Sequence, residues 1–105
     1  MTSLGRATWP DVPAGPLLVV PLGSVEQHGH HLPLSTDTTV AGAVAADAAG
    51  AFAGALLAPA LAYGASGEHE GFPGTISIGT EALTALLVEF GRSAARWASR
   101  PAAPG

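Results

Sequence analysis

The sequence predicts an α/β fold in which a parallel β-sheet is flanked by helices. Three observations carry that expectation. The run LLVVPLG at 17–23 is short, aliphatic and β-branched in its middle, as in strands buried on both faces of a parallel sheet. A strand-like run followed by a polar loop occurs twice, each time ahead of a helical pattern. Apolar residues then recur at three- and four-residue spacing from Leu83 to Trp97. Strands alternating with helices imply parallel pairing through right-handed crossovers.

Taken in order, residues 1–16 hold Pro10, Pro13 and Pro16 with Gly5 and Gly15, an irregular lead-in that suits neither a helix nor a central strand. The strand at 17–23 opens into EQHGHHLPLSTD at 26–37, a loop at its carboxyl end, the edge where α/β sheets bind ligands. From Thr38 to about Phe52 the spacing of Val40, Val44, Ala48 and Phe52 suggests a helix, with Thr36 or Asp37 capping its first turn. Its alanines permit close approach to the sheet. A second strand is expected within ALLAPALAYG at 55–64, then a polar stretch at 65–75 and a short extended TISI at 75–78. Thr80 is a suitable N-cap and Glu81 suits the helix dipole. Leu83, Leu86, Leu87, Phe90 and Trp97 define an amphipathic helix reaching about Ser99. The division expected is a lead-in at 1–16, an α/β unit at 17–100 and a Pro-Ala tail at 101–105.

A chain of 105 residues fits one small domain. Its net charge of −4 with only four basic residues leaves no cationic footprint for nucleic acid or anionic lipid. The absence of Cys excludes disulfides, thiolate zinc sites and a thiol nucleophile from this chain, so a metal would be held by His and carboxylate. The Ala- and Gly-rich window at 38–65 contains Asp47 and Pro59 and lacks the transfer energy of a membrane span. With no secretory or lipidation signal at its start, a cytoplasmic location is expected.

Glu26 and His28 are two residues apart at the end of an extended segment, which aims both side chains to one side. Gly29 and Pro33 let the loop return and bring Asp37 to them. The resulting carboxylate and imidazole donors suit Zn²⁺, Mn²⁺ or Fe²⁺. With Asp37 bridging, two ions roughly 3.5–4 Å apart could activate water and polarise a carbonyl, the logic of a hydrolase. The spacing alone also fits a solvated loop whose histidines cap nearby carbonyls. His30 and His31, being adjacent, cannot both face one metal. In the second polar loop Ser66, Glu68 and His69 form a candidate hydrogen-bonded set, with Tyr63 and Phe72 as apolar walls. No strained elbow surrounds Ser66, which argues against a serine triad. Glu68 and His69 are the candidates for catalytic proton transfer.

The stretch PLGSVEQHGHHLPLSTDT at 21–38, followed by YGASGEHEGFPGTISIGTEAL at 63–83, resembles the creatininase family, and the second stretch is most similar to its mycofactocin-system peptidase branch. The resemblance implies a parallel α/β fold, a two-metal site, amide or cyclic-amide hydrolysis and a homo-oligomer, often a hexamer. It assigns Glu26 to one metal, His28 to the other and Asp37 between them. For the branch, it implies removal of the C-terminal dipeptide of a modified precursor peptide. The chain departs from the family pattern at His30, where proline is usual. The resemblance spans about the first two fifths of a typical member, and further ligands would come from a later strand with an Asn-Gly-His motif. The expectation is therefore an incomplete creatininase-like domain whose parent activity is peptide hydrolysis. Creatinine-type ring opening is the second enzymatic reading, and a catalytically inactive assembly or binding module is the third.

Overall fold

The computed structural model describes residues 2–98, and its centre is a three-stranded parallel sheet. The strands β1 (Thr2–Ser3), β2 (Leu18–Val19) and β3 (Leu56–Leu57) stand in the order β1-β3-β2. Leu56 lies opposite both Thr2 and Leu18, and Leu57 opposite Ser3 and Val19. β1 emerges from the lead-in as an edge strand, and single 3-10 turns at Leu4–Arg6 and Trp9–Asp11 follow it. An edge position tolerates a short strand of low apolar content, which hides it from pattern reading.

Pairing between the two expected strands outruns their formal limits. Leu56 N donates to Leu17 O at 2.8 Å, Ala58 N to Val19 O at 2.9 Å, Leu61 N to Pro21 O at 2.9 Å and Gly23 N to Leu61 O at 2.8 Å. Pro21 has no N–H to give, so the regular ladder stops at Val19 while its carbonyl still accepts. The expectation that 17–23 is buried on both faces is corrected: Leu18, Val19 and Val20 are half-buried, and Leu17 and Leu22 are exposed. β2 is an edge strand, and small side chains cover it.

α1 (Thr36–Gly50) packs on β2 and β3. Its buried residues are Ala45 and Ala49, whereas Val40, Val44 and Phe52 are exposed. Val40, Val44 and Ala48 instead line an open cleft beside the β2 edge, while the alanines, which allow closer backbone approach than valine, are the residues buried against the sheet. The helix starts two residues before the expected Thr38, with Ser35 rather than Thr36 or Asp37 at the N-cap. On the other face, Phe90 and Ala94 of α2 (Gly79–Ala94) border clefts they share with Leu18. Alternate strand side chains point to opposite faces, so helices cover both sides of β2.

Gly79 and Ile78, not Thr80, begin and cap α2, and Gly79 has φ +80°. The helix gives way to turns after Ala94, and none of its residues is fully buried. TISI contributes one antiparallel bridge, Ile76 to Val25, instead of a strand. The expected helix end at Ser99 and the tail at 101–105 lie outside the described residues. Apart from Leu56, the buried apolar residues are alanines: Ala45, Ala49, Ala55, Ala58 and Ala98. Among the described residues, no helix is long and apolar enough to cross a membrane.

Candidate metal centre

Beyond β2 the chain is clamped from both sides, and this clamp sets where the next side chains point. Ile76 N donates to Val25 O at 3.0 Å, Glu26 N to Leu34 O at 3.3 Å and Gln27 N to Thr75 Oγ1 at 3.1 Å. His28 bridges to Leu32. The segment stays extended, so Ser24, Glu26 and His28 share one side. Gly29, at φ +73°, turns the chain in a conformation that glycine adopts without strain. On the return, Pro33 O accepts from Thr36 N at 3.1 Å and from Thr36 Oγ1 at 2.6 Å, delivering Asp37 in the first turn of α1.

Three donors meet there. One ligand atom each from Glu26, His28 and Asp37 lies within 4.8 Å of the others. His28 Nε2 is 3.0 Å from Asp37 Oδ2 and 4.0 Å from Glu26 Oε1. Ser24 Oγ sits 2.8 Å from Asp37 Oδ2 and 3.0 Å from Glu26 Oε1, tying the carboxylates together. Thr38 Oγ1 donates to Ser24 O at 3.0 Å, fixing the helix start against the strand end. Gly23 makes this approach possible, since a Cβ there would lie 2.6 Å from Thr38 Cα. The side-chain hydrogen bond with Glu26, followed by those with His28 and Ser24, holds the Asp37 carboxyl down from 3.8 to about 2. Two carboxylates and one imidazole at this separation suit a divalent cation that takes oxygen and nitrogen donors.

The second polar loop supplies a fourth group. His69 Nε2 is 3.3 Å from Glu26 Oε2, and its Nδ1 is 2.9 Å from Gln27 Nε2. The set expected from Ser66, Glu68 and His69 does not assemble. Glu68 is 87% exposed with its carboxylate 3.9 Å from His69, and Ser66 is buried with no hydrogen bond to its hydroxyl. Tyr63 and Phe72 are about half exposed, and His30 and His31 face solvent. Sequence reasoning missed Ser24 and Gln27. Ser24 was within reach of it, since the same two-residue period that paired Glu26 with His28 includes position 24. Gln27 carries no such signal, because its partner stands 42 residues away.

Fold and site together define an α/β chain with a carboxylate–imidazole cluster at the carboxyl end of a parallel strand. It belongs to the creatininase family, whose model, described as creatinine amidohydrolase, matches residues 5–101. The chain is 61% identical over 90 residues to the mycofactocin precursor peptide peptidase of Mycolicibacterium smegmatis, covering 81% of this chain and 36% of that protein. It is 58% identical over 107 residues to the Mycobacterium tuberculosis protein of the same name, covering 92% and 43%. A creatinine amidohydrolase crystal structure superposes with a TM-score of 0.80 at 36% identity, covering 90% of this chain and 40% of that one. Other matching creatininase structures are named for Zn-Zn and Mn forms. The chain spans about two fifths of the length of these relatives.

Proposed function

We propose that this chain carries the Glu26–His28–Asp37 portion of a divalent-metal centre that hydrolyses amide bonds in a peptide. The substrate in this reading is a modified precursor peptide that loses its C-terminal dipeptide. The observation that carries it is the convergence of three ligand atoms within 4.8 Å at a sheet edge, in a chain of a hydrolase family. Identity favours the peptide over creatinine, being 61% to a precursor peptide peptidase and 36% to the creatinine amidohydrolase of Pseudomonas putida.

Glu26, His28 and Asp37 would hold the cation. Zn²⁺, Mn²⁺ or Fe²⁺ fits the donors, and zinc commonly takes a fourth, so a complete two-ion site needs about two further ligands. The cation would supply Lewis acidity toward the scissile carbonyl. The protein supplies orientation. Ser24 bridges the two carboxylates, and Thr38 locks the helix start that bears Asp37. Glu68, at the exposed rim, would exchange protons with water, whereas His69 is held by two partners. A cytoplasmic homo-oligomer completes the reading, and the exposed Val40 and Val44 beside β2 support assembly with further copies.

The exposed apolar surface also favours a second reading, an assembly module without turnover. Calorimetric titration of the 105-residue protein with Zn²⁺ and Mn²⁺, followed by incubation with a precursor peptide and with creatinine, separates these outcomes. The proposal expects saturable binding that Asp37→Ala abolishes, and metal-dependent cleavage of the peptide but not of creatinine once the further ligands are supplied. Binding without turnover after those ligands are supplied favours the module. Metal binding unchanged by both His28→Ala and Asp37→Ala refutes the site.

A further inference from the structure

We infer that Gln27 is a positioning residue that fixes the tautomer of His69, making the imidazole an N–H donor to Glu26 rather than a metal ligand. This rests on the reading of Glu26 as a ligand, but its central claim concerns the protein before any cation binds.

Gly29 N donates to Gln27 Oε1 at 2.9 Å, which identifies the oxygen end of the side-chain amide, since an N–H cannot donate to an NH₂ group. The other end of the amide, Nε2, therefore faces His69 Nδ1 at 2.9 Å. An amide nitrogen has no lone pair to offer, so Nδ1 must accept. A neutral ring that accepts at Nδ1 carries its proton on Nε2, and a ring protonated on both nitrogens would set two donors against each other. Nε2, 3.3 Å from Glu26 Oε2, accordingly donates to that carboxylate.

The relay runs from Gly29 through Gln27 and His69 to Glu26, and it divides the work of the Glu26 oxygens. Oε2 is engaged by His69, while Oε1 faces Ser24 at 3.0 Å and His28 at 4.0 Å, on the side where Asp37 lies. Glu26 is thereby presented through Oε1 alone. Groups that orient a ligand in this way typically change metal affinity about 10–100-fold when removed. Gln27 is itself fixed through Thr75, which accepts from its backbone N at 3.1 Å, so the second polar loop is registered against the first.

Two-bond ¹⁵N–¹H correlation spectra of the metal-free protein read the tautomer directly. The expected result is a His69 ring protonated on Nε2. Gln27→Glu replaces the donor with an acceptor and should place a proton on Nδ1 as well, and Gln27→Leu should leave a mixture of tautomers. In Zn²⁺ titrations, Gln27→Leu and His69→Ala should weaken binding about 10–100-fold, and His69→Gln, which keeps an N–H for Glu26, should restore most of it. A metal-free ring protonated on Nδ1, or an unchanged tautomer in both Gln27 variants, overturns the inference. So does loss of the Nε2 proton when Zn²⁺ is added, since that makes His69 a ligand. Should the unsubstituted protein bind no Zn²⁺ while its ring is protonated on Nε2, the metal-site reading fails and the tautomer assignment stands.

Discussion

Replacing Gly23 with alanine tests whether strand end and helix start are held as closely as the site geometry requires. A Cβ at this position would lie 2.6 Å from Thr38 Cα and would also overlap the Thr38 hydroxyl. Ordinary van der Waals contact begins at 3.4 Å, so the first turn of α1 must retreat by about 0.8 Å. Asp37 is the neighbouring residue and would move with it. The bonds from Asp37 Oδ2 to Ser24 Oγ and His28 Nε2, now 2.8 and 3.0 Å, would then stretch beyond useful hydrogen-bond length. Overpacking of this kind costs about 1–3 kcal/mol, which in a domain of this size lowers the melting temperature by roughly 4–20 °C. Thermal unfolding followed by circular dichroism, with Zn²⁺ calorimetry, measures both effects. Gly42→Ala is the control: nothing lies within 4 Å of its Cβ, and alanine in a helix interior should stabilise by up to about 1 kcal/mol. A Gly23→Ala protein with unchanged melting and unchanged metal affinity would refute the proposed coupling.

Three further outcomes are expected. Ala49→Leu should cost about 1–3 kcal/mol in urea denaturation because Ala49 has no exposed surface, whereas Val44→Leu, at a 63% exposed position, should be near neutral; equal effects would place the buried stripe elsewhere. Asp37 titrates in the folded chain near 2, below its ordinary 3.8, so its ionised form contributes stability above 3.8 that is lost as the pH falls through about 2. The stability gap between the metal-free protein and Asp37→Asn should therefore close over that window, and a gap independent of pH would contradict the hydrogen bonds described. Glu68→Gln should leave Zn²⁺ affinity within about two-fold, since a side chain 87% exposed is well screened; a ten-fold loss on calorimetry would move Glu68 into the coordination shell.

The α/β class was legible because hydrophobic runs and polar loops alternate along the chain; strand parity and a Gly-Pro return allowed the Glu26–His28–Asp37 grouping but also fitted a solvated loop, and the resemblance to the creatininase family decided between them. Pattern and structure part where size governs packing instead of hydrophobicity. Val40 and Val44 look like the buried side of α1, but the sheet takes Ala45 and Ala49, a choice made by backbone proximity that no apolar period records. Pro21 shortened the regular part of β2 without ending its pairing, since a carbonyl accepts where an N–H is missing. Residues joined across long separations were the least accessible. His69 was noticed for its chemistry, yet the nearest partners of its ring are Glu26 and Gln27 in the other loop, whereas Ser66 meets only its backbone N–H and Glu68 lies 3.9 Å away.

The start of α1 shows how local stability yields to the site. A helix opening with Ser35, Thr36 and Asp37 would ordinarily turn a side-chain oxygen onto its own free N–H groups, a cap whose loss costs about 1 kcal/mol. Here the Ser35 side chain makes no such bond, and Thr36 directs its hydroxyl to Pro33 O. Asp37 reaches across to Ser24 and His28. Position in the first turn still lets the Asp37 carboxylate benefit from the helix dipole, but its side chain serves the loop rather than the helix. Glu26 and Asp37 are thereby brought together, joined through a hydroxyl and an imidazole. A divalent cation would take the same carboxylate oxygens and the His28 nitrogen as donors, exchanging these hydrogen bonds for coordination. Substitutions that displace Asp37 from Ser24 and His28 should therefore alter both the order of the segment in the metal-free chain and its affinity for the cation.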